Sequence, residues 1–321
     1  MKAYINGKHG GKTGQPLYSL LEISAASELP IYNGEKDADV IFNWGGAFNK
    51  TSRAKTVLNE RPLFGKLAQA RAMLNAGIAT PRAWGSLREV NKFPVLQKLN
   101  DSHGGKGIKM IRSKPARIVQ KGDIWFQGYI EKKAEFRVYF FNGNATIVSE
   151  KLVKDTSRVI WNIVNCTGWQ RRKDLETNKD LVNLVVEAAK AVRLDWGAAD
   201  VMQDKKGKFW ICEVNSRPSC WNRERPKLKM EKDKDGVYRL VGHKREDLTL
   251  SARMWGNQMK KFLRHANEGE RPTSSQTAPK SQRTRASTVP KAAPKPKPKK
   301  KVSDVDLLKR LTERVRKKRG R

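Results

Sequence analysis

The sequence predicts an α+β fold built on antiparallel sheet. Two hairpin signals lead to this reading: Asn142-Gly143 between apolar runs, and Lys205-Lys206-Gly207 between two more. Segments of helical period separate the strand-like runs. Nine Trp and ten Phe in 321 residues require a packed core, although 31% of residues are charged.

The elements follow in order. Residues 38–44 form an apolar run ending at Gly45-Gly46, which reads as a buried strand. Residues 61–75 place Leu63, Leu67, Ala70 and Leu74 on one helical face, with Gly77 and Pro81 closing the segment. Residues 93–99 and 108–111 read as strands around a glycine-rich loop. Residues 135–141 and 145–148 are the first hairpin, and 198–202 with 209–215 the second. An amphipathic helix is expected over 178–192 and one more helix over 248–265. No repeat of solenoid period is present.

The net charge is +35. Residues 270–321 hold eighteen basic and four acidic residues, which leaves +21 on the rest. Pro294, Pro296 and Pro298 alternate with Lys and remove backbone donors, so residues 269–301 read as a disordered Pro/Lys-rich linker. Val302, Val305, Leu308, Leu311 and Val315 recur at helical spacing behind Ser303, so 302–321 reads as a basic amphipathic helix. This tail suits nucleic acid or an acidic protein. It has no aromatic residue for base stacking. No apolar run is long enough to span a membrane, so no membrane partner is expected. Three cysteines (Cys166, Cys212, Cys220) do not make a disulfide framework and fit a reducing cytoplasm. The four histidines form no ligand-spaced pair.

Two glycine-rich segments are candidates for phosphate binding. Gly7-Lys8-His9-Gly10-Gly11-Lys12-Thr13 ends like a Walker A loop but has three residues between its glycines where that loop has four. A phosphotransferase built on Lys12 is therefore the weakest of the functional readings. The second segment, from Lys98 through Gly104, Gly105, Lys106 and Gly107, lies between two strands. Such a loop can fold over a triphosphate and offer backbone N–H groups, with the Lys98 ammonium beside it.

The second hairpin carries oxygen ligands. Alternate strand residues share a face, so Glu213 and Asn215 point together while Cys212 and Val214 point away. Asp200 falls opposite Glu213, or within a residue of it. Asp200, Glu213 and Asn215 would then make an oxygen cluster suited to magnesium. Glu135, Arg137 and Tyr139 share one strand face, with Arg137 either reaching a phosphate or pairing with a carboxylate of the cluster. Trp161 and Trp169 flank Asn165 and read as core or a substrate wall, with core the favoured reading.

The order of these pieces resembles the ATP-grasp superfamily, in particular carboxylate–amine ligases near the glutamate-ligase and D-alanine–D-alanine ligase branches. The resemblance runs from about residue 58 to 219, half the chain. It rests on Leu74-Asn75-Ala76-Gly77-Ile78-Ala79-Thr80-Pro81, Phe93-Pro94-Val95-Leu96-Gln97-Lys98 and the glycine loop. It continues through Phe126-Gln127-Gly128-Tyr129-Ile130, Glu135-Phe136-Arg137-Val138-Tyr139, Ala199-Asp200, and Cys212-Glu213-Val214-Asn215-Ser216-Arg217-Pro218. It implies an ATP-grasp fold, two α+β subdomains clamping a nucleotide over 60–268, behind a small pre-grasp α/β domain over 1–59.

The resemblance also implies roles. Lys66 and Lys98 would contact ATP phosphates, and Gly104, Gly105 and Gly107 would shape a mobile lid. Gln127, Tyr129 and Ile130 would line the adenine slot, with Glu131 or Glu135 at the ribose. Asp200, Glu213 and Asn215 would hold Mg2+, with Mn2+ as a substitute. Arg137 and Arg217 would act with Lys98 in catalysis, and Arg158, Asn165, Arg171 and Arg217 would bind the substrate carboxylate or the intermediate. The chain departs from the family in placing Gln127 where an acidic residue is usual. It also has Ala198 and Ala199 where a polar group is frequent, a role Arg158 or Arg193 would then take. The implied reaction is ATP-dependent amide formation between a carboxylate and an amine, on a peptide or protein among other substrates. The competing reading is a non-catalytic nucleic-acid-binding protein on an ATP-grasp scaffold.

Overall fold

A computed structural model describes residues 1–7, 15–31, 37–45, 54–100, 102, 105–116, 123–161, 166–218, 229–232 and 238–268. All of them lie in one compact unit that ends at Thr277. The Lys12 loop, Gly104, Asn165, Cys220, the Pro/Lys-rich linker and the expected C-terminal helix fall outside the described residues.

The chain opens with strand β1 (Ala3–Gly7), helix α1 (Gln15–Ser27), β2 (Val40–Trp44) and β3 (Thr56–Leu58). The three strands pair in parallel in the order β1-β2-β3. The near-continuous apolar run of β2 is buried at every residue, as a parallel strand covered on both faces requires. Helix α2 (Lys66–Asn75) leads to β4 (Ala83–Trp84), β5 (Val95–Leu99), β6 (Lys109–Ile111) and β7 (Ile124–Gly128). These four strands form an antiparallel sheet ordered β4-β7-β5-β6. Next come β8 (Lys132–Phe141), β9 (Asn144–Val153), β10 (Cys166–Arg171), α3 (Lys179–Ala191), β11 (Trp196–Asp204) and β12 (Phe209–Asn215). Their strands form a five-stranded antiparallel sheet, β10-β9-β8-β11-β12. A short hairpin, β13 (Lys229–Lys232) and β14 (Tyr238–Val241), precedes helix α4 (Leu250–Asn267).

Both expected hairpins and the helices expected over 178–192 and 248–265 are present. Asn142 (φ 43°) and Gly143 (φ 77°) turn β8 into β9 with two positive φ angles, which these residue types tolerate best. Asn178 and Thr249 cap α3 and α4 through their side chains. One boundary is corrected: α2 begins at Lys66, not at 61. Pro62 interrupts the run, the Leu63 N–H donates to the Val192 carbonyl (2.9 Å), and Gly65 at φ 86° is not helical.

The five-stranded sheet has two different faces. Phe136, Val138, Phe140, Ala199, Val201, Ile211 and Val214 pack against α3 and Met73 of α2. On the opposite face, Tyr139, Phe141, Trp196 and Ala198 join β1–β3 and α4 in a second core. Asn59, fully buried at φ 57°, ties these parts together. Its side chain accepts from the Asp195 N–H (2.6 Å) and donates to the carbonyls of Trp196 (2.9 Å) and Asn43 (3.1 Å). Loop backbone covers the outer edge of β12: the Ile211 N–H donates to the Ala79 carbonyl (2.8 Å) and the Thr80 hydroxyl to the Ile211 carbonyl (2.8 Å).

Helix α4 crosses α1 closely at Gly256. A Cβ there would lie 2.5 Å from the carbonyl carbon and 2.6 Å from the carbonyl oxygen of Ala26. Valine is favoured over glycine in a helix by only a few tenths of a kcal/mol. Overpacking against backbone costs about 1–3 kcal/mol. Gly256→Val should therefore lose about 2 kcal/mol of unfolding free energy in a urea titration. An unchanged midpoint would mean that the helices can separate freely at this crossing.

Candidate active site

One cavity of about 1180 Å³ opens between the four-stranded sheet and the polar half of the five-stranded sheet. The alternation along β8 explains why. Phe136, Val138 and Phe140 point into the core, which leaves Glu135, Arg137 and Tyr139 on the cavity side. The register then aligns charges across three strands: Arg137 pairs with Asp200, and Asp200 with Glu213.

That alignment depends on a β-bulge in β12. Val201 pairs with Ile211, yet Asp200 pairs with Glu213, so Cys212 is an extra residue. The expectation that Cys212 points away from Glu213 is therefore corrected. Cys212 lines the cavity, and its Sγ lies 4.0 Å from Lys98 Nζ. Burial pushes the Cys212 thiol above its ordinary pKa and outweighs the nearby Lys98 charge. It is a neutral wall of the site, not a thiolate nucleophile. Neither Cys166 nor Cys212 forms a disulfide among the described residues.

The Arg137 guanidinium holds Asp200 with two hydrogen bonds, Nε to Oδ1 at 2.8 Å and Nη2 to Oδ2 at 3.0 Å. This settles the alternative left open for Arg137 in favour of the carboxylate. Burial alone would push Asp200 up. The charge and hydrogen bonds of Arg137, with Lys151 and Lys66 farther away, more than reverse this and hold its carboxyl below the ordinary range. Burial likewise opposes the Arg137 charge, and Asp200 overrides it. Asn215 Nδ2 lies 3.4 Å from Asp200 Oδ2. Lys66 Nζ lies 3.4 Å from Glu213 Oε2 and donates to the Ser102 carbonyl (2.6 Å), so the start of α2 joins the glycine loop to β12.

Across the cavity, Lys98 on β5 donates from Nζ to Gln127 Oε1 on β7 (2.5 Å) and lies 5.3 Å from the Trp125 ring centroid. Among the described residues Lys98 makes no salt bridge, so its charge faces the cavity uncompensated. Gln127 is buried, and its Nε2 has no hydrogen-bond partner among the described residues. Its amide oxygen accepts from Lys98 without cancelling the lysine's charge, which a carboxylate at this position would do. Gly105 and Gly107 hold φ angles of 75° and 73° in the loop above. A Cβ on Gly107 would also fall 2.6 Å from Leu99 Cδ1.

Of the residues singled out from sequence, Gly107 lies outside the cavity lining and Gly104 outside the described residues. Lys66, Lys98, Gly105, Gln127, Tyr129 and Ile130 line it from one side. Glu135, Arg137, Asp200, Glu213, Asn215 and Arg217 line it from the other. Arg217 stacks at 5.0 Å on the Trp44 ring, and burial lowers its pKa. Gly45, at φ 73°, makes room for it, since a Cβ there would lie 2.8 Å from Arg217 Cδ. Arg158 and Arg193 do not line the cavity, and Arg158 pairs with Asp155 (3.2 Å). Glu131 pairs with Lys205 (2.7 Å) outside the cavity, so Glu135 is the one of that pair within it.

The sequence reading missed Lys132 and Lys151. Glu135 accepts from Lys132 (2.7 Å) and from Lys151, while Lys151 also donates to the Trp161 carbonyl (3.0 Å). Lys132 lies 4.6 Å from the Trp161 ring centroid, and Trp169 is stacked by Arg137 (5.2 Å) and Lys151 (5.3 Å). Trp161 is buried as expected, but Trp169 is 38% exposed and forms a cavity wall, a correction to its reading as core. Its place on β10, an edge strand, leaves one ring face open.

The donor set fits a hard divalent cation. Asp200 and Glu213 share one register row, and Asn215 lies two residues along β12 from Glu213 and also lines the cavity. Among the described residues no three His, Cys, Asp or Glu side chains gather as a ligand set, so phosphate and water would complete the shell, as magnesium favours.

These features define a cleft between two sheets of an α+β fold, with a lysine that makes no salt bridge among the described residues on one sheet and two carboxylates in register on the other. No family model matches the chain. A segment of 46 residues is 48% identical to the D-alanine–D-alanine ligase of Pseudomonas fluorescens strain Pf0-1, covering 14% of each chain. A segment of 59 residues is 41% identical to D-alanine–D-alanine ligase B of Pseudomonas putida, covering 17% of this chain and 19% of that one. The chain thus matches less than a fifth of the length of these relatives. In fold it is similar to the ATP-grasp ligase PsnB in complex with minimal precursor, Mg and ADP, at 12% identity and TM-score 0.48, covering 68% of this chain and 90% of that chain. It is also similar to the D-alanine–D-alanine ligase from Bacillus anthracis in complex with ATP, at 17% identity and TM-score 0.46, covering 69% and 87%.

Proposed function

We propose that this chain is an ATP-grasp carboxylate–amine ligase, which joins a carboxylate to an amine at the expense of ATP. The observation that carries the reading is the placement of Lys98 on one sheet and Asp200, Glu213 and Asn215 on another, all facing one cavity. The local likeness to D-alanine–D-alanine ligases supports it. In this reading residues 1–59 are a pre-grasp domain and 60–268 the clamp, with α4 returning to pack on the first. The basic tail is read as an electrostatic tether for an anionic partner.

Lys98, Lys66 and the backbone of the glycine loop bind the triphosphate and neutralise charge as it develops. A bound magnesium ion would be held by Asp200, Glu213 and Asn215 and would supply further neutralisation of the phosphates. A substrate carboxylate oxygen attacks the γ-phosphorus, the bond to the bridging oxygen breaks, and ADP leaves. The acylphosphate carbonyl is then attacked by the amine. The C–N bond forms, phosphate departs and takes up the amine proton. Arg137 keeps Asp200 ionised and oriented throughout. Trp161, Trp169 and Tyr129 limit water access to the acylphosphate, which water would otherwise hydrolyse.

The test is mass spectrometry of reactions with MgATP and panels of carboxylates and amines. The expected product has the summed mass of its two parents less one water, with one ADP released per product. Glu213→Gln should lower its formation by about 100-fold, the scale of losing a charge-stabilising group. ADP release without a joined product on every panel would overturn the reading.

A further inference from the structure

A second cavity, of about 420 Å³, adjoins the first. The two share a wall made by Ile147, Arg171, Leu250 and Arg253. Among the described residues the charged ones lining the second cavity are Arg171, Arg245 and Arg253, and none of them is a carboxylate. Arg171 is neutralised by a two-point contact with Glu176 (2.7 and 2.9 Å). Arg245 donates to the neutral amide oxygen of Asn257. Arg253 lies in the second turn of α4, and its buried Nε has no hydrogen-bond partner among the described residues. Two cationic side chains thus stand in a trough beside the candidate active site without a carboxylate among its described lining residues.

The remaining walls narrow the chemistry of the occupant. Asn257 and Gln258 carry amides that can both donate to and accept from a peptide backbone. Ile147, Leu250 and Met254 supply an apolar floor. Among the described residues no aromatic side chain lines this cavity, so they offer no platform on which a nucleic-acid base could stack. We infer that the trough receives an acidic peptide segment, and that Arg253 and Arg245 position it so that one of its carboxylates enters the larger cavity. This inference rests on the ligase reading, which requires a carboxylate substrate. An acidic chain would supply both the reacting group and the charges that the arginines recognise.

The test uses the full chain without ATP and reads fluorescence anisotropy with labelled hexaglutamate, hexaglutamine and oligothymidylate. The variants are Arg245→Gln/Arg253→Gln and Arg245→Lys/Arg253→Lys. Both keep the basic tail, whose charge would attract any polyanion equally in all three proteins and so sets the background. The Gln pair should weaken hexaglutamate binding by about tenfold, as loss of charged partners at an interface does, with the Lys pair recovering part of it. Hexaglutamine should bind weakly to all three proteins, and oligothymidylate should bind all three alike. Equal hexaglutamate affinity in the wild type and the Gln pair would overturn the trough and leave the ligase reading untouched. Equal loss for oligothymidylate and hexaglutamate would overturn the peptide assignment in favour of nucleic acid. Binding is read without nucleotide, so a failure of turnover on every substrate panel would sink the ligase reading alone.

Discussion

Lys98→Ala is expected to lower ADP release by about 10²- to 10³-fold, the usual effect of removing a group aimed at charge that develops in the transition state. The reason lies in its surroundings. Its Nζ is held at 2.5 Å by the neutral oxygen of Gln127, and no carboxylate cancels its charge among the described residues. Lys66 does not replace it in full, because Lys66 shares its ammonium with Glu213 and the Ser102 carbonyl. MgATP binding, measured by titration calorimetry, should weaken as well. Stability should change little, because Lys98 is only partly buried and its removal leaves no ion pair broken. Lys98→Arg keeps the charge but not the compact ammonium, and should fall between the two. An alanine variant that keeps turnover within about threefold would remove Lys98 from phosphate binding, since the losses expected of such groups are far larger.

The Arg137–Asp200 pair gives the second large effect. Arg137→Gln would leave Asp200, whose side chain is 17% exposed, with Asn215 at 3.4 Å in place of a two-point guanidinium. Breaking a buried pair from one side costs about 3 kcal/mol or more, measured in urea. Arg137→Met/Asp200→Leu removes both charges and should regain most of that stability while remaining inactive. Recovery of stability without activity separates the structural work of the pair from its chemical work. The pH dependence has a definite sign. The folded protein holds Asp200 below its ordinary value, so its contribution is present above the unfolded pKa of about 3.9 and is lost as pH falls through the folded value. The wild type should therefore lose stability more steeply on acidification than the Met/Leu variant. Parallel acid-unfolding curves would show that the pair adds nothing to folding.

Much of the scaffold was legible in residue order because the signals are local. The Asn142-Gly143 turn needs two positive φ angles, Asn178 sits one position ahead of the helix it caps, and the alternation in 135–141 sorts core from cavity. Other elements escaped because their signals are weak or interrupted. Helix α1 follows directly on the glycine-rich loop, β10 carries Gly168 beside a bulge, and β13–β14 is a short charged hairpin.

What the residue order determined by itself was the stock of chemistry: a basic chain, a lysine before a glycine loop, and Asp200, Glu213 and Asn215 on one hairpin. What only the tertiary structure decided was their alignment, and two extra residues show why. Cys212 in β12 shifts the pairing by one, which brings Glu213 opposite Asp200. Thr146 in β9 does the same, since Tyr139 pairs with Ile147 but Phe140 with Ala145, and the shifted register carries Lys151 to Glu135. Counting outward from a turn cannot locate a bulge. Its position follows from how the whole sheet twists and packs against α3 on one side and β1–β3 on the other, and that is a property of the assembled molecule.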